Sequence, residues 1–205
     1  MVVTDIEKID KKRYRIYAEG QPVFVLYKGE ILRYGIRIQE EITLETYEEI
    51  KKTVLQKRAK LRCMNLLKSM DRTEYQLRTR LRQGEYPKEV IEEAIAYVKS
   101  YRYIDDERYA RQYIEYKKDR KSRRQITQEL LLKGIEKGLI QQVMEEQEPV
   151  CEEQVIRRLI EKKKVDLNNA STAELHKLYL FLQRKGFSVS EISKVIRNVN
   201  YFDSI

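Results

Sequence analysis

Three stretches of the chain share one pattern, and this repetition decides the predicted fold. They read LRTRLRQGEY at positions 77–86, ITQELLLKGI at positions 126–135 and LYLFLQRKGF at positions 178–187. In each stretch apolar or aromatic residues stand at the first, fifth and last positions, and the offsets between the stretches are 49 and 52 residues. A period near 50 residues, with a glycine-containing turn between helices, is typical of tandem helical modules.

The pattern extends outward from each stretch and predicts three helices per module. Apolar residues return at equivalent positions after each turn, at Ile91, Ile140 and Ile192. Capping boxes that open the middle helix stand at Thr73-x-x-Gln76, Ser122-x-x-Gln125 and Ser171-x-x-Glu174. A further helix precedes each box, over about 54–69, 106–119 and 151–163. These modules account for nine helices.

The glycines of the second and third stretches predict how the middle helices end. Gly134 and Gly186 stand where a helix C′ residue needs a left-handed backbone conformation. The first module has Glu85 in that column and Gly84 one residue earlier. We therefore expect a different turn in the first module.

The first 45 residues predict strands instead of helices. Arg13–Tyr17 and Val23–Tyr27 are rich in β-branched and aromatic residues. A turn at positions 28–30 leads to a further strand, Ile31–Tyr34, and the spacing of Ile36 and Ile38 gives one apolar face. We predict a small antiparallel sheet over residues 2–39 that packs on a helix.

A change of period marks the end of the sheet. Thr46-Tyr-Glu-Glu at positions 46–49 reads as a capping box, and apolar residues then recur at helical spacing. A helix over about 46–69 would join the sheet to the modules. The predicted fold is mainly α: an elongated, curved tandem array of three three-helix modules with a small N-terminal antiparallel β segment. The predicted domains are 1–45, 46–103, 104–149 and 150–205.

The composition argues against catalysis, metal binding and membrane insertion. The 205 residues include one histidine, two cysteines and no tryptophan. Cys63, Cys151 and His176 are far apart in the chain, and the glycines match no phosphate-binding motif. Asp105 and Asp106 suit helix capping better than metal binding, with Asp106 as the N-cap. We expect no enzyme activity, no cofactor and no metal.

The N-terminus and the hydropathy predict the compartment. The chain begins without the apolar segment of a secretory signal, and no stretch approaches the length of a membrane span. We therefore expect a cytoplasmic protein with no membrane partner, present as a monomer.

The charge predicts an anionic partner. The formal net charge is +9, but residues 1–50 carry 8 basic and 10 acidic side chains, so the excess lies downstream. Residues 117–124 hold six cations in eight positions. Favourable contacts with a helix C-terminus explain two or three of these cations, not six. The candidate binding residues are Lys117, Lys118, Arg120, Lys121, Arg123 and Arg124, with Arg78 and Arg82 four residues apart on one helix face. Such a surface suits a polyanion or an acidic protein, although a merely solvated basic surface would look similar.

The other unusual feature is the number of tyrosines: the chain has 15 tyrosines, 4 phenylalanines and no tryptophan. Six of them lie between positions 97 and 116, and Tyr109 and Tyr113 share one helix face. We favour packing between modules for these two rings, with base stacking and a protein interface as alternatives.

The central module carries a resemblance to a known family. YIDDERYA at positions 103–110 is followed by Tyr113, the basic run and I-x-x-E-L-x-x-K-G-I at positions 126–135. This combination resembles the signature of the RecX family, bacterial regulators of the recombinase RecA. The resemblance covers about residues 55–200, and the β segment resembles an extension of some longer members. The matching residues, which we expect to be mainly structural, are Asp105, Asp106, Tyr109, Ala110, Tyr113, Leu130, Lys133 and Gly134.

The resemblance implies binding and not chemistry. Members of the family lie along the groove of the RecA–single-stranded DNA filament and dampen strand exchange, ATP hydrolysis and co-protease activity. The implied partners are the RecA filament and single-stranded DNA, with double-stranded DNA left open. Two departures affect local geometry: the basic run lacks a glycine often found there, and the first module's glycine is shifted. The alternatives are a general nucleic-acid-binding helical repeat protein and a protein-interaction scaffold.

Overall fold

The computed structural model describes residues 1–147, 151–167 and 169–196. The chain divides into two units, Met1–Asp105 and Asp106–Ile205. The predicted domain boundary between 149 and 150, and the part of the chain after residue 196, lie outside the described residues. The described residues are mainly helical, with one small sheet at the N-terminus, as the sequence predicts.

The N-terminal sheet has three antiparallel strands in the order β1-β2-β3: β1 (Val3–Lys8), β2 (Arg13–Ala18) and β3 (Gln21–Tyr27). Ile16 of β2 pairs with Phe24 of β3, and both side chains are buried. Alternation places such residues on one face, which packs into the core of the unit. The small antiparallel sheet is confirmed, with its outer strand supplied by the N-terminus.

The predicted strand Ile31–Tyr34 is wrong, because its first three residues lie in helix α1 (Lys28–Arg33). The Glu30 carboxylate accepts a hydrogen bond of 2.7 Å from the backbone N–H of Tyr27, which satisfies a free donor at the helix start. Local capping therefore overrides the strand preference of the apolar residues. The predicted apolar face fails as well, since Ile36 is buried but Ile38 is 51% exposed.

The connecting helix begins earlier than predicted. Helix α2 (Leu44–Glu49) has Thr43 as its N-cap, and the Thr43 hydroxyl accepts a hydrogen bond of 3.1 Å from the backbone N–H of Thr46. The capping box assigned to Thr46 is therefore wrong. A π-helical segment (Ile50–Leu55) and helix α3 (Gln56–Ser69) continue α2, so the helix predicted over 46–69 forms.

The first module consists of α3, α4 (Glu74–Gln83) and α5 (Lys88–Ser100). Most of its predicted apolar columns are buried, with Leu77 and Leu81 fully inaccessible, and Tyr86 is half-buried. One continuous core contains both these leucines and the buried face of the sheet, including Ile16. The sheet is therefore part of the same folded unit as the first module.

The second unit contains the other two modules. The second module consists of α6 (Asp106–Lys117), α7 (Arg123–Leu132) and α8 (Lys137–Glu146), and the third of α9 (Glu152–Lys163), α10 (Thr172–Arg184) and α11 (Val189–Val195). Each has its own apolar core. Helix α6 begins at Asp106, so this residue lies in the first turn and the prediction that it is the N-cap is wrong.

The turn after the middle helix has the same hydrogen bonds in all three modules, contrary to our prediction for the first. The last residue of each stretch donates its backbone N–H to the carbonyl five residues earlier, at 3.3, 3.1 and 3.3 Å. This is the Schellman pattern, which requires a left-handed residue at C′. Gly134 and Gly186 meet the requirement, with φ of 81° and 91°, and Glu85 meets it with φ of 57°.

The strained backbone of Glu85 is held by the sheet. A left-handed conformation costs roughly 1–2 kcal/mol for a residue with a Cβ. The guanidinium of Arg15 on β2 donates two hydrogen bonds to the Glu85 carboxylate, of 2.5 and 2.6 Å. This ion pair connects the side chain of the strained residue to the sheet, and the first module forms the same turn with a non-glycine residue at C′.

Gly186 lies against the start of helix α7. The backbone N–H of Ser122, the N-cap of α7, donates to the carbonyl of Lys185 at 3.0 Å. A Cβ placed on Gly186 would lie 2.6 Å from the Cβ of Gln125 and would also overlap the Ser122 hydroxyl. Within the second unit, the glycine turn of the third module and the middle helix of the second module therefore pack without space for a side chain.

Candidate functional site

The basic segment, defined as residues 117–124, forms the connection between α6 and α7. Backbone hydrogen bonds from Arg120 and Lys121 to the carbonyl of Lys117 fold it into a tight turn. Ser122 ends the turn and is almost fully buried, and its hydroxyl accepts a hydrogen bond of 3.1 Å from the backbone N–H of Gln125. The basic side chains therefore project from a fixed backbone.

Half of this segment's basic residues have nearby acidic partners that reduce their positive charge. Lys118 forms a salt bridge of 2.7 Å with Glu115, and Lys121 forms one with Glu129. Arg124 lies close enough to Glu191 to lower the pKa of that carboxyl. The segment's one acidic residue is itself paired, since Asp119 accepts a hydrogen bond of 2.6 Å from Arg158.

Lys117 and Arg120 form no salt bridge among the described residues, and both lie against Tyr116. The Lys117 ammonium and the Arg120 guanidinium are each 4.8 Å from the centroid of the Tyr116 ring. The ring is 60% exposed. A cation on an exposed aromatic ring stays available to an anion, because the interaction contributes only about 0.5–1 kcal/mol at such sites.

Arg123 contributes to the segment mainly through its backbone. Its N–H donates a hydrogen bond of 2.8 Å to the Glu152 carboxylate at the start of α9. Burial raises the pKa of Glu152, and the neighbouring Glu191 carboxyl raises it further. The guanidinium of Arg123 is exposed, with a weak contact of 3.5 Å to the carbonyl of Met144.

Arg78 and Arg82 lie on α4 in the first unit, and their surroundings differ. Arg78 is half-buried and is held by two carboxylates: it donates to Glu74 at 2.7 Å and to both oxygens of Glu92 at 2.6 and 2.9 Å. These hydrogen bonds raise its pKa further above its ordinary value. Arg82 is exposed and forms no salt bridge among the described residues. Although the two arginines share one helix face, only Arg82 is available to bind an anion without leaving a carboxylate.

The motif tyrosines pack on the second module's own core. The rings of Tyr109 and Tyr113 are stacked, with centroids 6.1 Å apart and planes inclined by 12°. The ammonium of Lys133 lies 5.8 and 5.2 Å from the two centroids. Ala110 and Leu130 are fully buried beside them. These residues join α6 to α7.

Glu129 links the motif to the basic segment. Its carboxylate accepts a hydrogen bond of 2.7 Å from the Tyr113 hydroxyl, and it also pairs with Lys121 and Gln125. Burial alone would raise the pKa of Glu129, but these hydrogen bonds lower it to about 2. Burial and the same contact raise the pKa of Tyr113 above its ordinary value. Sequence reasoning did not assign Glu129 a role, although its spacing from Gln125 and Lys133 places the three on one helix face.

The described residues contain no cluster of three or more His, Cys, Asp or Glu side chains that could hold a metal ion. His176 is exposed on α10, and Cys63 is buried. No helix within the described ranges is long and apolar enough to cross a membrane.

Family models match each of the three modules. The model for the first three-helix domain of RecX matches residues 59–97, that for the second matches 105–144, and that for the third matches 152–196. Together these matches cover more than half of the chain and fall on the helices of the three modules.

Similar proteins carry the same family name. Regulatory protein RecX of Caldanaerobacter subterraneus is 35% identical over 199 residues, which cover 96% of this chain and 98% of that protein. Regulatory protein RecX of Clostridium beijerinckii is 26% identical over 206 residues, covering 99% and 97%.

Solved structures show the same fold. A crystal structure of regulatory protein RecX has a TM-score of 0.56 at 23% identity, covering 97% of this chain and 99% of that one. RecX from Lactobacillus salivarius has a TM-score of 0.54 at 19% identity, covering 71% and 96%. The three matched domains and the full-length relatives lead to one conclusion: the chain belongs to the RecX family of regulatory proteins.

Proposed function

We propose that this protein binds the RecA–single-stranded DNA filament and inhibits the recombinase, ATPase and co-protease activities of RecA, without catalysis of its own. The observation that carries the proposal is the basic segment, which concentrates cations on a fixed turn inside the module with the family's central motif. A filament of this kind presents phosphates at regular spacing, and cations on a fixed backbone lose little conformational freedom when they bind them.

The proposed surface has an order of importance. Lys117 and Arg120 come first, because neither forms a salt bridge among the described residues and both lie on an exposed ring. At four of the other candidates a phosphate would have to compete with nearby carboxylates: Arg78, Lys118, Lys121 and Arg124. Tandem contacts from several modules would add to the affinity through effective concentration. On this view Arg82 contributes more than Arg78, whose guanidinium is held by two glutamates.

The test is a RecA ATPase assay on single-stranded DNA with the protein titrated in. The wild-type chain should inhibit at substoichiometric levels. Lys117→Glu with Arg120→Glu should raise the half-inhibitory concentration about tenfold or more, because each lost charge-assisted contact is worth about 1.5–3 kcal/mol. Lys137→Glu with Lys177→Glu is the matched control, since it changes the net charge equally at exposed positions of the same unit.

Three results would contradict the proposal. Normal inhibition by the Lys117 and Arg120 variant would show that the basic segment is not the contact surface. Tight binding of bare DNA with no effect on RecA would favour a general nucleic-acid-binding protein, and binding of neither would favour a protein-interaction scaffold. Circular dichroism of both variants checks that they remain folded.

A further inference from the structure

The first unit contains a basic cleft of about 450 Å³ whose lining includes no residue of the basic segment. It lies where the end of the sheet meets helices α3 and α4. Four arginines line it, one from the sheet, two from α3 and one from α4: Arg13, Arg58, Arg62 and Arg80. One carboxylate also lines it, that of Glu85, which is paired with Arg15. The volume falls within the roughly 300–1,000 Å³ of typical ligand sites. Sequence reasoning missed this cleft because its arginines come from distant parts of the chain.

One side of the cleft is pre-organised around Arg58. Its guanidinium donates to the carbonyl of Val25 at 3.1 Å and to both carboxylate oxygens of Glu30 at 2.5 Å. It also lies 4.3 Å from the centroid of the Tyr27 ring. These contacts hold the ring in place at the edge of the cleft, where it is 40% exposed. The cleft therefore offers a fixed aromatic surface.

The opposite side offers two arginines that are available to a ligand. Arg62 and Arg80 are exposed, and neither forms a salt bridge within the part of the chain that the structure describes. Among the described residues, the side chain of Arg80 donates only to the side-chain amide of Gln83, at 3.2 Å. Arg13, in contrast, pairs with Asp10 at 2.7 Å. A bound anion would meet two guanidinium groups that do not have to leave a carboxylate.

The positive surface continues beyond the cleft. An adjoining open depression shares Arg13 and Tyr27 with the cleft. It adds Lys11, Lys12 and Asp10, whose carboxylate is paired with Arg13. Both lysines are exposed in the turn between β1 and β2. The N-terminal residues have a net negative charge, but this side of the sheet is locally basic. An extended anion is therefore a better match than a single phosphate ion.

The lining favours one kind of extended anion. Guanidinium groups suit phosphate oxygens, and the side-chain amides of Asn65 and Gln83 can hydrogen-bond base edges. Tyr27 and the 63% exposed Leu61 add apolar surface on which a base can stack. A peptide of acidic residues alone would use the arginines but neither the aromatic nor the apolar surface. We propose that this cleft binds single-stranded nucleic acid, with phosphates on Arg62 and Arg80 and a base against Tyr27 and Leu61.

This inference concerns bare nucleic acid and does not rest on the proposed inhibition of RecA. Its first test is fluorescence anisotropy with a labelled oligothymidylate of about twelve nucleotides and no RecA present. Arg62→Glu with Arg80→Glu should weaken binding about tenfold or more, and should reduce the slope of log K against log salt by about 1.4, the value for two phosphate contacts on a single strand.

A matched control is available on the same unit. Arg33→Glu with Arg37→Glu changes the charge equally, and neither residue lines the cleft. It should leave the affinity within about twofold of wild type and the salt slope unchanged. Combining the cleft pair with Lys117→Glu and Arg120→Glu separates the contribution of the basic segment. If the glutamate variant fails to fold, Arg62→Gln with Arg80→Gln should still lower the salt slope.

A second test reports on the cleft itself. The chain has no tryptophan, so Leu61→Trp introduces a single fluorophore at the cleft edge, and Leu44→Trp at a 74% exposed position is its control. Oligothymidylate should quench Leu61→Trp and not Leu44→Trp, and an abasic oligonucleotide should quench less. Equal quenching of both variants, equal weakening by the two arginine pairs, or binding of polyglutamate in place of the oligonucleotide would overturn the proposal.

Discussion

A single added methyl group at Gly186 should loosen the contact between the second and third modules. Gly186→Ala places a Cβ 2.6 Å from the Cβ of Gln125 and onto the hydroxyl of Ser122. Neither neighbour can rotate away easily, because Ser122 caps α7 and the Gln125 Cβ is fixed to the helix backbone. The backbone of one module must therefore shift away from the other.

The expected cost follows from two contributions. The backbone at Gly186 has a φ of 91°, which costs an alanine roughly 1–2 kcal/mol. Overpacking against α7 adds roughly 1–3 kcal/mol. Gly35→Ala is the matched control, because Gly35 also has a positive φ, of 62°, but no neighbouring atom lies within 4 Å of the position that an alanine Cβ would occupy there. The control should therefore lose stability only through the backbone conformation.

Hydrogen–deuterium exchange with mass spectrometry can separate the two effects. Gly186→Ala should accelerate exchange in peptides of α7 and α10 beyond the acceleration that Gly35→Ala causes around α1, by about five- to 150-fold for a difference of about 1–3 kcal/mol. Because Ser122 belongs to the basic segment, RecA inhibition should weaken as well. If Gly186→Ala accelerates exchange no more than Gly35→Ala does, the close packing of the two modules is not what stabilises this contact.

Three further predictions follow from the pKa values and ion pairs. Glu129→Gln should lower the free energy of unfolding of the second unit by about 1–3 kcal/mol at neutral pH. Because the pKa of Glu129 in the folded protein is about 2 and its ordinary value is 4.5, this stabilisation is lost as the pH falls from 4.5 to about 2. The melting temperature of the variant should therefore change less with pH over this range than that of the wild type. Cys151 should react with a thiol reagent in the native protein, whereas Cys63 should react only on unfolding, because burial raises its pKa to about 11. Arg78→Ala should lower the melting temperature, and Arg82→Ala should not, because only the first removes a partly buried ion pair.

The repeated apolar columns predicted the modules because they report burial directly. Leu81, Leu130 and Leu182 are fully inaccessible, and the helices around them lie where the period places them. The sequence was misleading where a local hydrogen bond overrides propensity. Ile31 belongs to a run typical of a strand, but the Glu30 carboxylate caps a helix there.

The sequence predicts where the basic segment lies, but not which of its cations are paired with carboxylates. The basic segment is contiguous, so composition alone locates it. The availability of its cations depends on residues that folding brings near. Glu129, eight residues away in the chain, pairs with Lys121, and Arg158, 39 residues away, pairs with Asp119. The cleft of the first unit could not be predicted because folding brings its arginines together from the sheet, α3 and α4.

The first module differs from the other two because the left-handed residue of its turn is Glu85 and not a glycine. The second and third modules each form their turn with their own glycine, so the conformation is available to them without help from elsewhere. In the first module the carboxylate of the left-handed residue pairs with Arg15, a residue of the sheet 70 positions earlier in the chain, and the module shares its core with that sheet. The β segment is therefore a structural component of the first module, and a fragment cut at residue 46 would lose both the partner of Glu85 and part of its own interior.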